Sequence, residues 1–297
     1  MFKLLSIYKY LFIFSGVIML AGIISLVAFG LRLGIDFKGG TVTELQFKQE
    51  YQIDKVRESL SQMQIGTFQL QTSEKNGLII RTEALEKEKH DEILATLKTT
   101  AGEFEEKRFD SIGPVVGEEL KKKAIYQLIL VSFGIVFYIA YAFRKIARPI
   151  TSWQFGVAAI VALIHDLVVV LGIFSLLGHY FDIEIDSLFV TAMLTVLGFS
   201  IHDTIVVFDR IRENLKVYAG QSFEFVVNHS ITQTIVRSLN TSLTVLFVLL
   251  ALLLFGGETI KFFVLALFIG ILTGTYSSIF VASPLLLLWQ RWKNKRA

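Results

Sequence analysis

Six apolar runs, each close to the roughly 20 residues that an α-helix needs to cross a bilayer, constrain this chain more than any other feature. They cover residues 11–31, 124–143, 153–178, 187–208, 239–256 and 262–289. Hydrophobic residues make up 53% of the 297 residues and charged residues only 19%, which excludes a disordered chain. The first run is longer than the apolar core of a typical signal peptide and is expected to remain as an anchor. The sequence therefore predicts an α-helical polytopic membrane protein with six transmembrane helices.

Lysine and arginine are distributed unevenly among the short connections, and this asymmetry predicts the orientation in the membrane. One side would hold Lys3, Lys9, Arg144, Lys145, Arg148, Arg210, Arg212, Lys216, Arg237, Arg291, Lys293, Lys295 and Arg296. The short connections on the other side hold only Lys261. The first side is therefore predicted to be cytoplasmic and to carry both termini, a loop at 209–238 and a basic tail at 291–297.

The polar stretch at 34–122, between the first two spans, is predicted to be one exported globular domain, with 1–33 before it and the remaining spans in 123–290. Strand patterns occur at 41–47, 68–73, 78–82 and 104–112, and helical patterns at 54–63 and 87–99. Lys75, Asn76 and Gly77 give a hairpin signal between the second and third strands. The order βαββαβ is the split βαβ pattern. The domain has no catalytic constellation, so we expect a structural domain or a binding surface for a partner polypeptide.

Three charged residues lie in or beside the spans, where each costs about 2.5–3.5 kcal/mol at a helix centre. A rise of 1.5 Å per residue places Asp166 roughly 18 Å, Asp203 roughly 24 Å and Arg237 roughly 28 Å from the outer face of a core about 30 Å thick. Asp203 and Arg237 are thus predicted to be close enough in depth to pair. Such a pair would serve either proton-driven transport or static helix packing, and the residues alone leave both open.

Other polar and small residues in the spans are weaker signals. His165 and His202 each precede one of the two buried acids, and His202 shares a helix face with Gly198. It would line an ion pathway or pack. Gly270 and Gly274 form a GxxxG spacing followed by hydroxyl residues, which predicts a closely packed bundle face, and Gly198 is expected to pack in the same way. The apolar positions of 223–235 predict an amphipathic helix lying at the membrane interface.

Cofactor and nucleic-acid sites are not expected. The near-balance of bases and acids, with a formal net charge of +3, gives no basis for nucleic-acid binding. The glycine-rich stretch at 34–40 is not a phosphate loop, because no Lys-Ser/Thr pair follows it. Its glycines would instead permit tight turns with positive φ at the exit of the first span. No metal site is predicted.

Several segments spread along the chain form a set of characteristic motifs. The segment after the first span consists of Gly34, Ile35, Asp36, Phe37, Lys38, Gly39 and Gly40, similar to the motif GIDFxGG. The segment before the second span, IGPVVGEEL at 112–120, contains Gly113, Pro114 and Gly117 and is similar to VGPxVGxEL. Three further motifs are HD at 165–166, GFSIHDTIVVFDRIREN at 198–214 and RSLNTS at 237–242. Together and in this order, these segments resemble the SecF family of bacterial protein export.

The resemblance implies a six-span half of an RND-type membrane fold with a ferredoxin-like α+β domain. It implies pairing with a SecD chain beside the SecYEG channel, with YajC and YidC as further partners, and action on unfolded exported polypeptides in the bacterial plasma membrane. Export would be driven by protons, or by sodium ions in some members, with no other cofactor and no enzyme activity. By position, Asp203 matches the ion-coupling aspartate, Arg237 the functional arginine and Asp166 the acid of the third span.

The alternatives are an efflux pump, a structural scaffold and an intramembrane protease. An efflux pump of the wider RND type would need larger external domains than 34–122. A scaffold would tolerate any well-packed pair in place of Asp203 and Arg237. A protease is disfavoured because neither GxGD nor HExxH is present.

Overall fold

The computed structural model describes residues 8–63, 65–73, 76–144 and 150–294. The chain divides into two compact units, Leu33–Ile125 and the remainder. Its elements are α1 (Tyr8–Phe29), α2 (Ile35–Lys38), β1 (Gly40–Phe47), α3 (Ile53–Gln62), β2 (Phe68–Ser73), β3 (Gly77–Thr82), α4 (Lys87–Thr100), β4 (Phe104–Ile112), α5 (Pro114–Ala142), α6 (Ser152–Phe181), α7 (Ser187–Val217), α8 (Phe223–Phe255), α9 (Glu258–Ser277), a π-helix (Ser278–Ala282) and α10 (Ser283–Asn294). Several residues used above lie outside the described ones: Lys3, Lys75, Lys145, Arg148, Lys295 and Arg296.

Within the described residues, six helical segments are long and apolar enough to cross a membrane, as predicted. They are Lys9–Phe29, Pro114–Ala142, Ser152–Phe181, Ser187–Val217, Phe223–Phe255 and Thr259–Trp292. The outer faces of α1, α5 and α8 expose many large apolar side chains, which lipid chains would cover in a bilayer. The membrane unit is thus a helical bundle with an apolar outer surface.

The predicted loop at 209–238 is mostly helical. Helix α7 continues to Val217, and α8 begins at Phe223, so a short connection joins them. The first turns of α8 form the expected amphipathic helix, but Val227 and Ile231 pack in the bundle core with Ile211 of α7. Helix α7 thus covers the apolar face of this segment, and its position at the membrane interface stays a prediction.

A π-helix interrupts the last span at Ser278–Ala282, directly before Pro284 in α10. Proline has no N–H to donate and its ring clashes with the carbonyl of the preceding turn in a regular α-helix. The wider turn accommodates this residue, and the Ser283 hydroxyl donates to the Ser278 carbonyl at 3.1 Å. Because a π-turn contains more residues than an α-turn, the side chains of α9 are rotated about the helix axis relative to those of α10.

Small residues set the closest helix contacts of the bundle. A Cβ added at Gly270 would lie 2.2 Å from Cγ2 of Val196 on α7, and one at Gly274 would lie 3.0 Å from the Ser200 Cβ. The predicted GxxxG contact is therefore confirmed. Gly198 differs: its face of α7 is exposed, and an added Cβ would meet no described atom within 4 Å. Gly198 therefore does not pack against another described helix of this chain, and that prediction is wrong.

The unit Leu33–Ile125 contains a four-stranded antiparallel sheet in the order β2-β3-β1-β4. This is the ferredoxin-like order, and the predicted βαββαβ succession is confirmed. Alternate residues of the central strands point to one face, where Leu45 and Leu78 are fully buried with Leu60 of α3 and Leu97 of α4. At the hairpin between β2 and β3, Asn76 adopts a left-handed conformation with φ 65°.

Candidate functional site

Asp166 of α6 is a carboxylate held inside the bundle by three neighbouring groups. Only 1% of the residue is exposed. Its Oδ2 accepts hydrogen bonds from the hydroxyls of Ser200 on α7 at 2.6 Å and Ser277 on α9 at 2.8 Å. Its Oδ1 lies 3.0 Å from Nδ1 of His165. These short bonds fix the carboxylate between three helices and satisfy both of its oxygens.

Asp203 of α7 is equally buried, with 2% exposed, but it is held more loosely. Its Oδ2 lies 3.3 Å from the hydroxyls of Ser242 on α8 and Thr275 on α9. Those two hydroxyl oxygens are 2.6 Å apart, and Thr275 also lies 2.9 Å from the Ile271 carbonyl. Because each hydroxyl carries one hydrogen, the two hydroxyls cannot satisfy all of these acceptors at once. Of the two buried acids, Asp203 has the weaker support for a fixed negative charge.

A third pair of hydroxyls joins α7 to the π-helix. Thr204 of α7 and Ser278 of the π-helix place their oxygens 2.9 Å apart. The Ser278 hydroxyl also contacts the Ser200 carbonyl at 3.1 Å and the Gly274 carbonyl at 2.7 Å. Gly274 permits this close approach of α9 to α7. The hydroxyls thus link α7, which carries Asp203, to the last span beside the residues that contact Asp166.

Arg237 does not pair with Asp203. It is exposed on α8, and no ion pair joins the two residues in the described chain. The reason is angular: Ser242 faces Asp203, and the five residues back to Arg237 turn the helix by about 500°, which leaves Arg237 about 140° away from that face. The predicted pairing rested on depth alone and is corrected here.

His202 is also exposed, on the face of α7 that carries Thr191, Thr195 and Gly198. It neither packs in the bundle nor contacts another described side chain through a hydrogen bond. His165, in contrast, is 4% exposed and belongs to the Asp166 cluster. The two histidines that precede the acids therefore have different surroundings.

Ser200 and Thr204 contribute to this site, although sequence reasoning did not select them. They lie three residues before and one residue after Asp203, and both are buried. Serine and threonine are so frequent in membrane helices that composition gave no signal for them. Their spacing of four residues, which places both on one helix face, could have identified them. Among the described residues, no group of three or more acidic or histidine side chains could hold a metal ion.

The two glycine motifs of the unit Leu33–Ile125 pack directly on each other. An added Cβ at Gly39 would lie 2.7 Å from the Pro114 Cα, and one at Gly117 would lie 2.7 Å from the Gly39 nitrogen. Gly39 has φ 76° and Gly40 has φ 135°, which only glycine adopts readily. Buried Phe37 lies in the one-turn helix α2 beside them.

Not all of the motif glycines behave as expected. Gly34 has φ −78° and extended backbone, so the positive φ expected there is not found. An added Cβ at Gly113 would meet no described atom within 4 Å. The close packing of the two motifs thus depends on Gly39 and Gly117.

The chain matches two protein-family models. Residues 92–292 match "Protein export membrane protein SecD/SecF, C-terminal", and residues 24–50 match "SecD/SecF GG Motif". Residues 92–292 are more than half of the chain and include both buried acids.

Curated relatives agree with this match. The protein translocase subunit SecF of Thermobaculum terrenum is 50% identical over 294 residues, covering 94% of this chain and 91% of the relative. The protein translocase subunit SecF of Anaerolinea thermophila is 38% identical over 293 residues, covering 96% of this chain and 94% of the relative.

Solved structures of SecDF have the same fold. The crystal structure of SecDF from Thermus thermophilus, described as a translocon-associated membrane protein, has a TM-score of 0.84 at 33% identity and is matched by 98% of this chain. A structure of SecDF in a super-membrane-facing form has a TM-score of 0.72 at 32% identity. This chain spans 39% of each SecDF chain. On these matches, the chain belongs to the SecF family of protein translocase subunits.

Proposed function

We propose that this chain pairs with a SecD chain in the bacterial plasma membrane and uses the proton gradient, or a sodium gradient, to promote passage of exported polypeptides through SecYEG and their release. The observation that carries this proposal is Asp203, a carboxylate buried in the bundle with only two long hydroxyl contacts. A buried acid with weak support is suited to gain and lose a cation. The chain acts in this proposal as an ion-driven subunit and not as an enzyme.

Pairing with SecD is supported by polar side chains that face outward within the spans. His202 and Thr195 are exposed on α7, and Arg237 and Thr241 are exposed on α8. Polar groups that face outward within a span are unfavourable in lipid, so a second protein half is the favoured neighbour of this face. The solved SecDF chains, of which this chain spans 39%, are long enough to supply such a half in one polypeptide. YajC and YidC are proposed as further partners on the family resemblance.

The proposed coupling step is local. Asp203 contacts α8 through Ser242 and α9 through Thr275. When an ion neutralises the carboxylate, its bonds to these two hydroxyls change, and the preferred spacing of α7, α8 and α9 changes with them. A charge change that favours one of two helix arrangements is how such switches operate. Asp166 and His165 form a second ionisable site on α6, which contacts α7 through Ser200 and α9 through Ser277. Arg237 acts on the exposed face of α8.

The orientation is part of the proposal. The excess of lysine and arginine on one side places both termini in the cytoplasm and the unit Leu33–Ile125 outside the cytoplasm. That unit would contact the exported polypeptide in the periplasm, or in the corresponding extracytoplasmic space.

The test is export into membrane vesicles driven by an imposed ion gradient, with assembly measured in parallel. D203N keeps the side-chain size but cannot exchange an ion, so the assembled complex should lose gradient-dependent export. D209N is the matched control, because Asp209 lies on the same helix, is exposed and pairs with Arg212 at 2.5 Å. Normal gradient-dependent export by an assembled D203N complex would reduce Asp203 to a packing residue and leave the chain as a scaffold.

A further inference from the structure

His165 presents one bonded and one unbonded nitrogen inside the bundle. Its Nδ1 lies 3.0 Å from Oδ1 of Asp166. Its Nε2 is buried and has no hydrogen-bond partner in the described part of the chain. The residue is 4% exposed, so Nε2 does not form a hydrogen bond directly with bulk water. A buried ring nitrogen without a partner is uncommon and calls for a chemical explanation.

The hydrogens around Asp166 limit where an added proton can go. Oδ2 accepts from Ser200 at 2.6 Å and from Ser277 at 2.8 Å, so a proton on Oδ2 would require one of these hydroxyls to turn away. The Ser277 hydroxyl has the Gly274 carbonyl, at 3.1 Å, as its alternative acceptor. The contact between Oδ1 and Nδ1 holds a single hydrogen, whichever of the two atoms carries it. Two free lone pairs then remain in the cluster, one on Oδ1 and one on Nε2. Of these two kinds of atom, an imidazole nitrogen is the stronger base.

We propose that His165 Nε2 is the atom that takes up the proton at this second buried site, while Asp166 and Nδ1 share the hydrogen that lies between them. Proton uptake changes the charge of the pair from −1 to 0, and no other bond is made or broken. The inference deepens the proposed function, on which it rests, by assigning the proton to an imidazole nitrogen. Asp166 then acts as a positioning residue that sets the tautomer and offsets the imidazolium charge.

The other groups around His165 are compatible with this assignment. Tyr276 of α9 has its ring centroid 6.4 Å from that of His165, and its hydroxyl is already bonded to the Leu11 carbonyl at 3.1 Å. Ser15 of α1 donates to that same hydroxyl at 3.1 Å. From α7, the neighbouring polar group is the neutral Ser200, and the other acid of α7, Asp203, bonds to α8 and α9 instead. Within the described residues, no lysine or arginine forms an ion pair or hydrogen bond with His165 or Asp166.

The test is nitrogen NMR of the full chain in lipid nanodiscs, with ¹⁵N in the histidine rings. The resonances that disappear in H165Q assign the ring of His165. As the pH is lowered, we expect the ¹⁵N chemical shift of Nε2 to change from that of an unprotonated ring nitrogen to that of a protonated one. The chemical shift of Nδ1 should remain that of a hydrogen-bonded nitrogen. The titration should be lost in D166N and retained in D203N, the matched acid on α7. If D166N does not assemble, S277A removes one donor from Oδ2 and should move the midpoint without abolishing it.

Two results would overturn the assignment. In the first, Nε2 stays bare while infrared spectra show a protonated carboxyl band that D166N removes. In the second, neither group changes over the pH range in which the chain stays folded, which would make the pair static. Export is measured separately: if His165 titrates as expected but both D203N and D166N complexes support gradient-driven export, the proton site stands and the proposed function fails.

Discussion

Replacing Gly172 by alanine should destabilise the contact between α1 and α6. An alanine Cβ at this position would lie 2.4 Å from the Gly22 Cα, where carbon atoms pack favourably at about 3.5–4.0 Å. Neither atom can move away by a side-chain rotation, because the Gly22 Cα is a backbone atom and the alanine Cβ is bonded directly to the backbone. The two helices must therefore separate by about 1 Å, and overpacking of this kind costs about 1–3 kcal/mol.

The same separation weakens two hydrogen bonds between these helices. The Ser25 hydroxyl donates to the Gly172 carbonyl at 3.2 Å, and the Ser175 hydroxyl donates to the Ser25 carbonyl at 2.9 Å. Interhelical hydrogen bonds in membranes contribute about 0.6 kcal/mol each on average. With the steric term, G172A should lower the free energy of unfolding by about 2–4 kcal/mol.

The assay is reversible unfolding of the full chain by sodium dodecyl sulfate in mixed micelles. At about 1.4 kcal/mol per tenfold change in the equilibrium constant, the effect is well above the resolution of the method. G156A is the matched control on α6, because an added Cβ there would meet no described atom within 4 Å. It should leave the free energy of unfolding unchanged or raise it by up to about 1 kcal/mol, because alanine has the higher helix propensity. Equal free energies for G172A and G156A would refute the close contact of α1 and α6.

Three further predictions test other parts of the chain. R237M should leave the unfolding free energy of the isolated chain within about 0.5 kcal/mol, because Arg237 is exposed and does not bond to Asp203, and should instead weaken co-purification with SecD. In the unit Leu33–Ile125, the hydrogen bond and charge of Lys48 hold the pKa of the Glu103 carboxyl below its ordinary value, so K48Q should raise that pKa toward the ordinary value in a carbon NMR titration. The pair therefore favours the folded unit above the unfolded-state pKa of Glu103, and this contribution is lost as the pH falls through the folded-state pKa. A reporter fused after Phe109 should be exported and one fused after Tyr218 should remain cytoplasmic; the opposite result would reverse the orientation.

The features that the sequence predicted correctly are those carried by local pattern. The six spans follow from the length of the apolar runs. Strand β1 follows from the alternation of its residues, in which Leu45 is buried and its two neighbours point to the other face of the sheet. The GxxxG spacing predicted a close contact because Gly270 and Gly274 leave room for side chains of α7. Burial of the acids followed from the cost of charge in lipid, which forces Asp203 into the bundle.

The features that it missed depend on rotation and on partners distant in sequence. The estimated depth in the membrane predicted that Arg237 lies beside Asp203. The two residues are apart because Arg237 and Ser242, which contacts Asp203, lie on different faces of α8. Helix α8 was shortened in the prediction because its first turns look interfacial, and only the packing of Ile231 against α7 shows that they belong to the bundle. The position of Ser200 beside Asp166 joins residues 34 apart in the chain, a contact that periodicity within one helix does not report.

The central claim is that Asp203 carries the coupling ion. The most direct measurement is ion flux into vesicles that contain the assembled complex, recorded with a pH- or sodium-sensitive dye during export. Wild type and D209N should show an export-dependent flux, and D203N should show none while remaining assembled. A D203N complex with the wild-type flux would contradict the claim.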